Sequence, residues 1–177
     1  PESERAPDET ALWKLYEVND FAAIDADIVR RKSDDPNWQP SDDFAIKLAQ
    51  KKRRIHMKSA AEAKDWVGVM AAAKDIDPAT EADFDLVWTM ADALIEMGDK
   101  AAAAKALQAL VARTGENRLS DDQLVITLQK SLAVSDVAEV RKLMAQLWPE
   151  SSNLAVKATL ELDLARAEVG NFNANEE

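Results

Sequence analysis

Four cations in one segment are the residues of this chain best placed to do chemistry. In "IKLAQKKRRIHMK" (46–58), Lys47, Lys51, Arg54 and Lys58 follow one another at intervals of 4, 3 and 4 residues. On an α-helix that spacing makes one row. Such a row recognises anions, holding a carboxylate or an acidic peptide through charge-assisted hydrogen bonds. It equally suits internal ion pairs with acids on a neighbouring helix, each worth about 0–1 kcal/mol when exposed. The sequence alone supports both readings. Phe44, Leu48 and Ile55, with Ala45, Ala49 and Ala60, fill the adjoining arc and are the expected core face. Lys52 and Arg53 lie within or beside that arc and must snorkel.

Catalytic chemistry finds less to work with. There is one histidine, His56, so any serine–histidine–acid triad has to be built around it. No Cys is present, which excludes disulfides, thiolate nucleophiles and zinc–thiolate sites. The phosphate-binding glycine motifs and H-E-x-x-H are absent. The paired acids Asp34/Asp35, Asp42/Asp43 and Asp121/Asp122 precede helical patterns, where they complement the positive end of a helix dipole. "DADIVRRKSDD" and "DIDPATEADFD" lack the order of a calcium loop. The chain is therefore expected to be no enzyme, with no cofactor and no metal.

Charge narrows the partners. Lys+Arg 22 against Asp+Glu 33 gives a formal net charge of −11, which repels nucleic acid and anionic lipid. No apolar run approaches the roughly 20 residues of a membrane span, so no membrane insertion is expected. The first residue is Pro1 and not Met, pointing to a processed or engineered start. Zero Cys fits either side of a membrane.

The elements that position the cations form a repeat. "EVNDFAA" (17–23), "EAKDWVG" (62–68), "EMGDKAA" (96–102), "AVSDVAE" (133–139) and "EVGNF" (168–172) align on Asn19, Lys64, Gly98, Ser135 and Gly170. The intervals by subtraction are 45, 34, 37 and 35 residues. Each phrase lies between apolar-periodic stretches and is expected to be the turn of a helical hairpin. One residue takes a left-handed conformation and the next caps a new helix. The third unit places Leu86, Val87, Met90, Ala91, Leu94 and Met97 on one face, then Ala103, Leu107 and Leu110 on the partner helix, with Gly115 as its stop. The fourth runs from the N-cap Ser120 through Leu124, Leu128 and Leu132, then Val137, Val140, Met144 and Leu147 to Pro149. In this register His56 falls where a first helix packs on its partner, a core or boundary position.

A period near 34 residues, hairpin units, Ala at the helix crossing and a terminal "DIDP" resemble tetratricopeptide repeats over about residues 10–172. The pattern departs from that family in three places. The early aromatic is displaced to Trp88, the second helix of unit two is short, and "DDPNWQPSDD" is inserted after unit one. The resemblance implies an all-α fold, a right-handed α-solenoid, with residues 1–9 as a flexible tail and 10–177 as one array. Its units are about 10–36, 42–78, 82–115, 120–149 and a truncated 151–172. It also implies a non-enzymatic scaffold that holds a partner protein or peptide in a concave groove lined by first helices. The groove candidates are Lys47, Lys51, Arg54, Lys58, Asp85, Trp88, Asp92, Trp13 and Tyr16, with Asp122, Val125 and Gln129 equivalent in unit four. With cations foremost, the implied ligand is acidic. The competing internal pairs are Lys51 with Asp85 and Lys58 with Asp92.

A second implied reading is a periplasmic array in an envelope or exopolysaccharide-export machine, where Trp88, Trp13 and Tyr16 stack on glycan or a partner enzyme docks. That reading leans to the bacterial periplasm, with the cytoplasm left open. Among the remaining tryptophans, Trp66 is expected in the core and Trp148 closing the fourth hairpin. Trp38 is expected either exposed or folded back as a lid. After residues 152–168, "VGNF" is expected to turn and "NANEE" is too short for a partner helix, so the chain reads as a piece cut from a longer protein.

Overall fold

The structure is a computed structural model that describes residues 8–149 and the backbone of 154–174, with the side chains of 155–170 in that last stretch. The described residues are all-α: nine helices and no strand. The hairpin turns follow directly from the repeated phrases. Asn19 (φ 60), Lys64 (φ 56) and Gly98 (φ 86) are all left-handed. After each, an aspartate amide reaches back to the carbonyl five residues earlier: Asp20 to Leu15 (3.0 Å), Asp65 to Ala60 (2.8 Å) and Asp99 to Leu94 (2.8 Å). Each of these aspartates then turns its carboxylate onto the next helix, accepting from the amides of Ala23, Gly68 and Ala102. A helix stop and a helix start are thus fused in two residues, satisfying orphan carbonyls and an orphan amide together.

The other two phrases depart from this scheme. Near Ser135 the backbone stays at negative φ, and Asp136 starts the next helix without a side-chain cap. At Gly170 there is no turn. The last helix runs through it from Leu154 to Ala174, overturning the expected hairpin at "VGNF". Glycine permits a left-handed residue but does not compel one.

The chain divides into two compact units, residues 1–56 and 57–177. The first contains α1 (Thr10–Glu17), α2 (Phe21–Asp34) and most of α3 (Asp42–Glu62). Its core is small: Leu12, Ile24, Phe44 and Leu48, ringed by half-buried Trp13, Tyr16, Phe21 and Trp38 among others. Trp38, in the inserted loop, folds back onto this cluster with the Arg31 guanidinium 5.2 Å from its ring. Glu9, assigned by sequence to the tail, is only 8% exposed, and its carboxylate accepts from the Ser41 amide and hydroxyl (2.5 and 2.7 Å).

The second unit contains the end of α3, α4 (Trp66–Ala72), α5 (Phe84–Glu96), α6 (Lys100–Val111), α7 (Asp121–Ser131), α8 (Val137–Leu147) and α9 (Leu154–Ala174). From α4 to α8 each helix packs on its successor, and α9 packs on both α7 and α8. Ala91 and Ala103 are fully buried between α5 and α6, where the absence of larger side chains lets the helices approach. The core is broad and aliphatic, with Leu86, Val87, Leu110, Leu124, Leu128, Leu160 and Leu164 all sequestered.

The expected core face of α3 is corrected. Phe44 and Leu48 are buried four residues apart, and Met57 and Ala60 three apart. Met57 follows Leu48 by nine residues, which breaks the i+3/i+4 rhythm. Ile55, which continues the first stripe, is 39% exposed, and Ala45 and Ala49 are exposed too. His56, expected in the core or at its boundary, is exposed for the same reason, one residue out of phase with Met57.

Candidate partner-binding surface

The sequence-derived groove residues fall into two groups. Trp13, Tyr16, Lys47, Lys51 and Arg54 belong to the first unit, and Lys58, Asp85, Trp88 and Asp92 to the second. In the first unit, α1 and the start of α3 bring Trp13 edge-on to Phe44 (4.9 Å between centroids) and to Tyr16 (5.4 Å). The cations sit on these rings. Lys47 Nζ is 5.4 Å from the Trp13 centroid and pairs with Asp43 at 2.9 Å. Lys51 Nζ is 4.0 Å from the Tyr16 centroid and donates to the Tyr16 carbonyl at 2.6 Å. That carbonyl is in the last turn of α1, so Lys51 satisfies the negative end of a helix. Lys52, expected to snorkel, reaches Asp25 at 2.8 Å. Arg54 is half-buried and has an interaction of its own.

In the second unit the expected Lys58–Asp92 pair is replaced. Lys58 meets Asp85 at 3.4 Å, and Asp92 accepts from Lys130 of α7 at 2.7 and 2.8 Å. Lys58 and Asp92 each find a different partner because helical register, not repeat number, decides which side chains face one another. Trp88 is likewise committed: its indole donates to the Thr127 hydroxyl at 2.9 Å and its ring stands edge-on to Phe84 at 5.0 Å. Thr127 is fully buried and its hydroxyl donates to the Gln123 carbonyl at 2.7 Å. The rings offered for sugar stacking thus carry contacts within the protein.

Sequence reading identified only part of what the structure leaves open. Between α7 and α9 lies a hollow of about 420 Å³ lined by Asp122, Val125, Ile126, Ala155, Val156 and Thr159. The repeat register had placed Asp122 and Val125 on the groove face. Gln129, grouped with them, donates to Asp163 of α9 at 2.8 Å and ties the two helices together. Ile126 is 40% exposed at the rim. The α9 half of the hollow was missed because the apolar residues of that helix offer two competing stripes. Leu160 and Leu164 are buried, while Leu162 and Val169 are 54% and 61% exposed.

Two structural anchors lie elsewhere in the second unit. Trp148 is 2% exposed and donates to Asp121 Oδ1 at 2.9 Å, closing the α7–α8 hairpin. Arg113, 9% exposed, gives both Nε (3.0 Å) and Nη2 (2.6 Å) to the Pro78 carbonyl. Burial holds its pKa below the ordinary arginine value, partly offset by Glu81 and Asp77. The sequence placed Trp148 at the close of the fourth hairpin, but it marked neither its Asp121 partner, 27 residues away, nor the Arg113–Pro78 contact, 35 residues apart.

Among the described residues no group of His, Cys, Asp and Glu is arranged to hold a metal ion, and no helix is long and apolar enough to cross a membrane. The chain matches no protein-family model, no curated protein and no solved structure.

Proposed function

We propose that this chain is a non-enzymatic binding scaffold, an α-solenoid of tetratricopeptide type whose first helices hold a segment of a partner protein. The observation that carries the reading is the open apolar hollow between α7 and α9. In the repeat register these are the first helices of successive units, the positions a concave groove requires. The three fused stop–start turns at Asn19, Lys64 and Gly98 support the repeat itself, because the same two-residue device recurs at the register the sequence gives. The cation row contributes little to binding in this reading, since Lys47, Lys51 and Lys58 have partners inside the protein.

A photo-crosslinking amino acid at position 126, with positions 29 and 46 as exposed controls, tests this in cells producing the full chain. The expected result is a protease-sensitive adduct at 126 and none at the controls. Equal labelling at all three positions, or an adduct that resists protease, overturns the proposal.

A further inference from the structure

The charge around the α7–α9 hollow identifies the partner more closely, an inference that rests on the binding reading above. Its floor is apolar: Val125 and Ile126 from one helix, Ala155 and Val156 from the other. Thr159, the one hydroxyl in the lining, donates to the Ala155 carbonyl at 3.2 Å, so the floor leaves no unmet hydroxyl donor. At about 420 Å³ the hollow is near the lower end of the 300–1,000 Å³ spanned by ligand sites, room for a side chain or two but not a large cofactor.

Asp122 is the charged residue of the lining, and several cations elsewhere in the second unit are engaged. Lys130 is held by Asp92, Arg166 faces Asp163 at 3.8 Å, and Arg141 is clasped by Glu161 and Glu168. Arg118 sits 3.6 Å from Asp121. Asp122 is exposed and makes no hydrogen bond or ion pair among the described residues. An apolar hollow with one uncommitted carboxylate at its edge complements an aliphatic side chain next to a cation. The acidic excess of the whole chain favours the same sign of partner by attracting it from a distance.

We propose that the α7–α9 groove holds a partner protein segment presenting an aliphatic residue beside a Lys or Arg, whose cation pairs with Asp122. This reverses the polarity that the row on α3 implies, where the ligand is acidic. The reversal follows from satisfaction rather than abundance: Lys47 and Lys51 carry charge that is already spoken for, and Asp122 does not.

Selection of a random-peptide phage library on the full chain, followed by binding of the selected peptides to variants, tests the proposal. The expected peptides pair a basic residue with a neighbouring aliphatic one. Their affinity falls about tenfold on Asp122→Lys, by a smaller factor on Asp122→Asn, and about a hundredfold on Ile126→Glu. It also falls as salt rises, because an exposed pair is screened. Lys47→Glu leaves it unchanged. Circular dichroism melts of the variants confirm that each still folds. Acidic peptides that lose binding on Lys47→Glu and ignore Asp122→Lys overturn the assigned polarity while leaving a binding scaffold intact. Failure to enrich any peptide counts against both the polarity and the scaffold. Sedimentation of the free chain supplies the last arm: a dimer split by Ile126→Glu means that a second copy fills the groove, and the proposal fails.

Discussion

The two compact units solve the same problem with different materials. Residues 57–177 bury a wide aliphatic core in which Leu, Val and Met from six helices and the end of α3 interdigitate. Among the described residues of 1–56 the buried apolar side chains are Leu12, Ile24, Phe44 and Leu48, surrounded by rings, cations and acids. A small unit cannot remove enough apolar surface from water, so it adds directional contacts. Arg31 shows the substitution: it covers Trp38, binds Asp27 at 2.8 Å and donates to the Asp8 carbonyl at 2.6 Å. Arg31, Lys47, Lys51 and Lys52 of the first unit thus carry contacts within the protein, the internal one of the two roles the sequence allows such cations.

The strongest test of this contrast removes one large buried ring from each unit. Phe44→Ala and Trp148→Ala each cost about 3–5 kcal/mol by transfer and cavity terms. Their consequences differ in extent. Phe44 touches Trp13 and is one of four buried core residues, so its loss strips amide-exchange protection from α1 and α2. Trp148 belongs to a core of many members, so α5 and α6 keep their protection while α7 and α8 exchange faster. Hydrogen exchange resolved by segment reads both. Retained protection of α1 and α2 in Phe44→Ala breaks the comparison.

Arg113 sharpens it from the other side, as the directional anchor of the aliphatic unit. Arg113→Ala leaves the Pro78 carbonyl without its two donors and removes a buried stem, costing about 2–3 kcal/mol. Arg113→Lys recovers only part, since an ammonium lacks the guanidinium fork. Urea denaturation of the two variants measures the difference, and equal stability of Lys and Arg at this position removes the role assigned to the fork.

Acid separates the units next. Hydrogen bonds from Arg30 and Arg31 hold the Asp27 carboxyl below the usual carboxylate range. A depressed pKa contributes stability that is present above the unfolded value of about 4 and is lost as pH falls through the folded one. Protonation therefore weakens α2, whose last turn these arginines brace, before it touches the aliphatic core. The expected observation is earlier acid loss of α1–α2 protection than of α5–α6, with Asp27→Asn abolishing part of that pH dependence. The effect is smaller than that of either core deletion because the pair is near solvent.

How much of this was legible in the sequence depends on how local its cause is. The turns at Asn19, Lys64 and Gly98 were readable because stop and start lie in adjacent residues. The Ala91–Ala103 crossing and the Leu124–Leu128 stripe were readable from periodicity. The end of the chain was not, since Gly170 accepts helical and left-handed backbone alike. The face of α3 was misread where its apolar rhythm shifts between Leu48 and Met57, a shift set by tertiary neighbours. The candidate site suffered most. Charge is written in the sequence, but its satisfaction is not: the partner of Lys51 is a backbone carbonyl, invisible to any search for acids. Asp122 read both as a helix-start acid and as a groove position beside Val125, and the placement of α9 adds Ala155 and Val156 across from it.

The shared turn yields the smallest effect and the one with the clearest sign. Lys64 holds φ at 56, a conformation that places the Cβ of an L-residue against the following carbonyl. Gly98 occupies the same place in the next turn at φ 86 without that penalty. Lys64→Gly therefore relieves strain while adding unfolded-state freedom, for a net gain of about 0.5–1 kcal/mol. Asn19→Gly in the first unit gains less, because asparagine tolerates the left-handed region better than lysine does. Gly98→Ala runs the other way and costs about 1 kcal/mol, although no atom lies within 4 Å of the added Cβ, so the loss isolates backbone strain from crowding. Thermal melts of the three variants are expected in the order Lys64→Gly, Asn19→Gly, Gly98→Ala from most to least stable. If Lys64→Gly melts below the parent, the lysine side chain contributes more to this turn than its backbone strain costs, and the equivalence of the turns in the two units no longer holds.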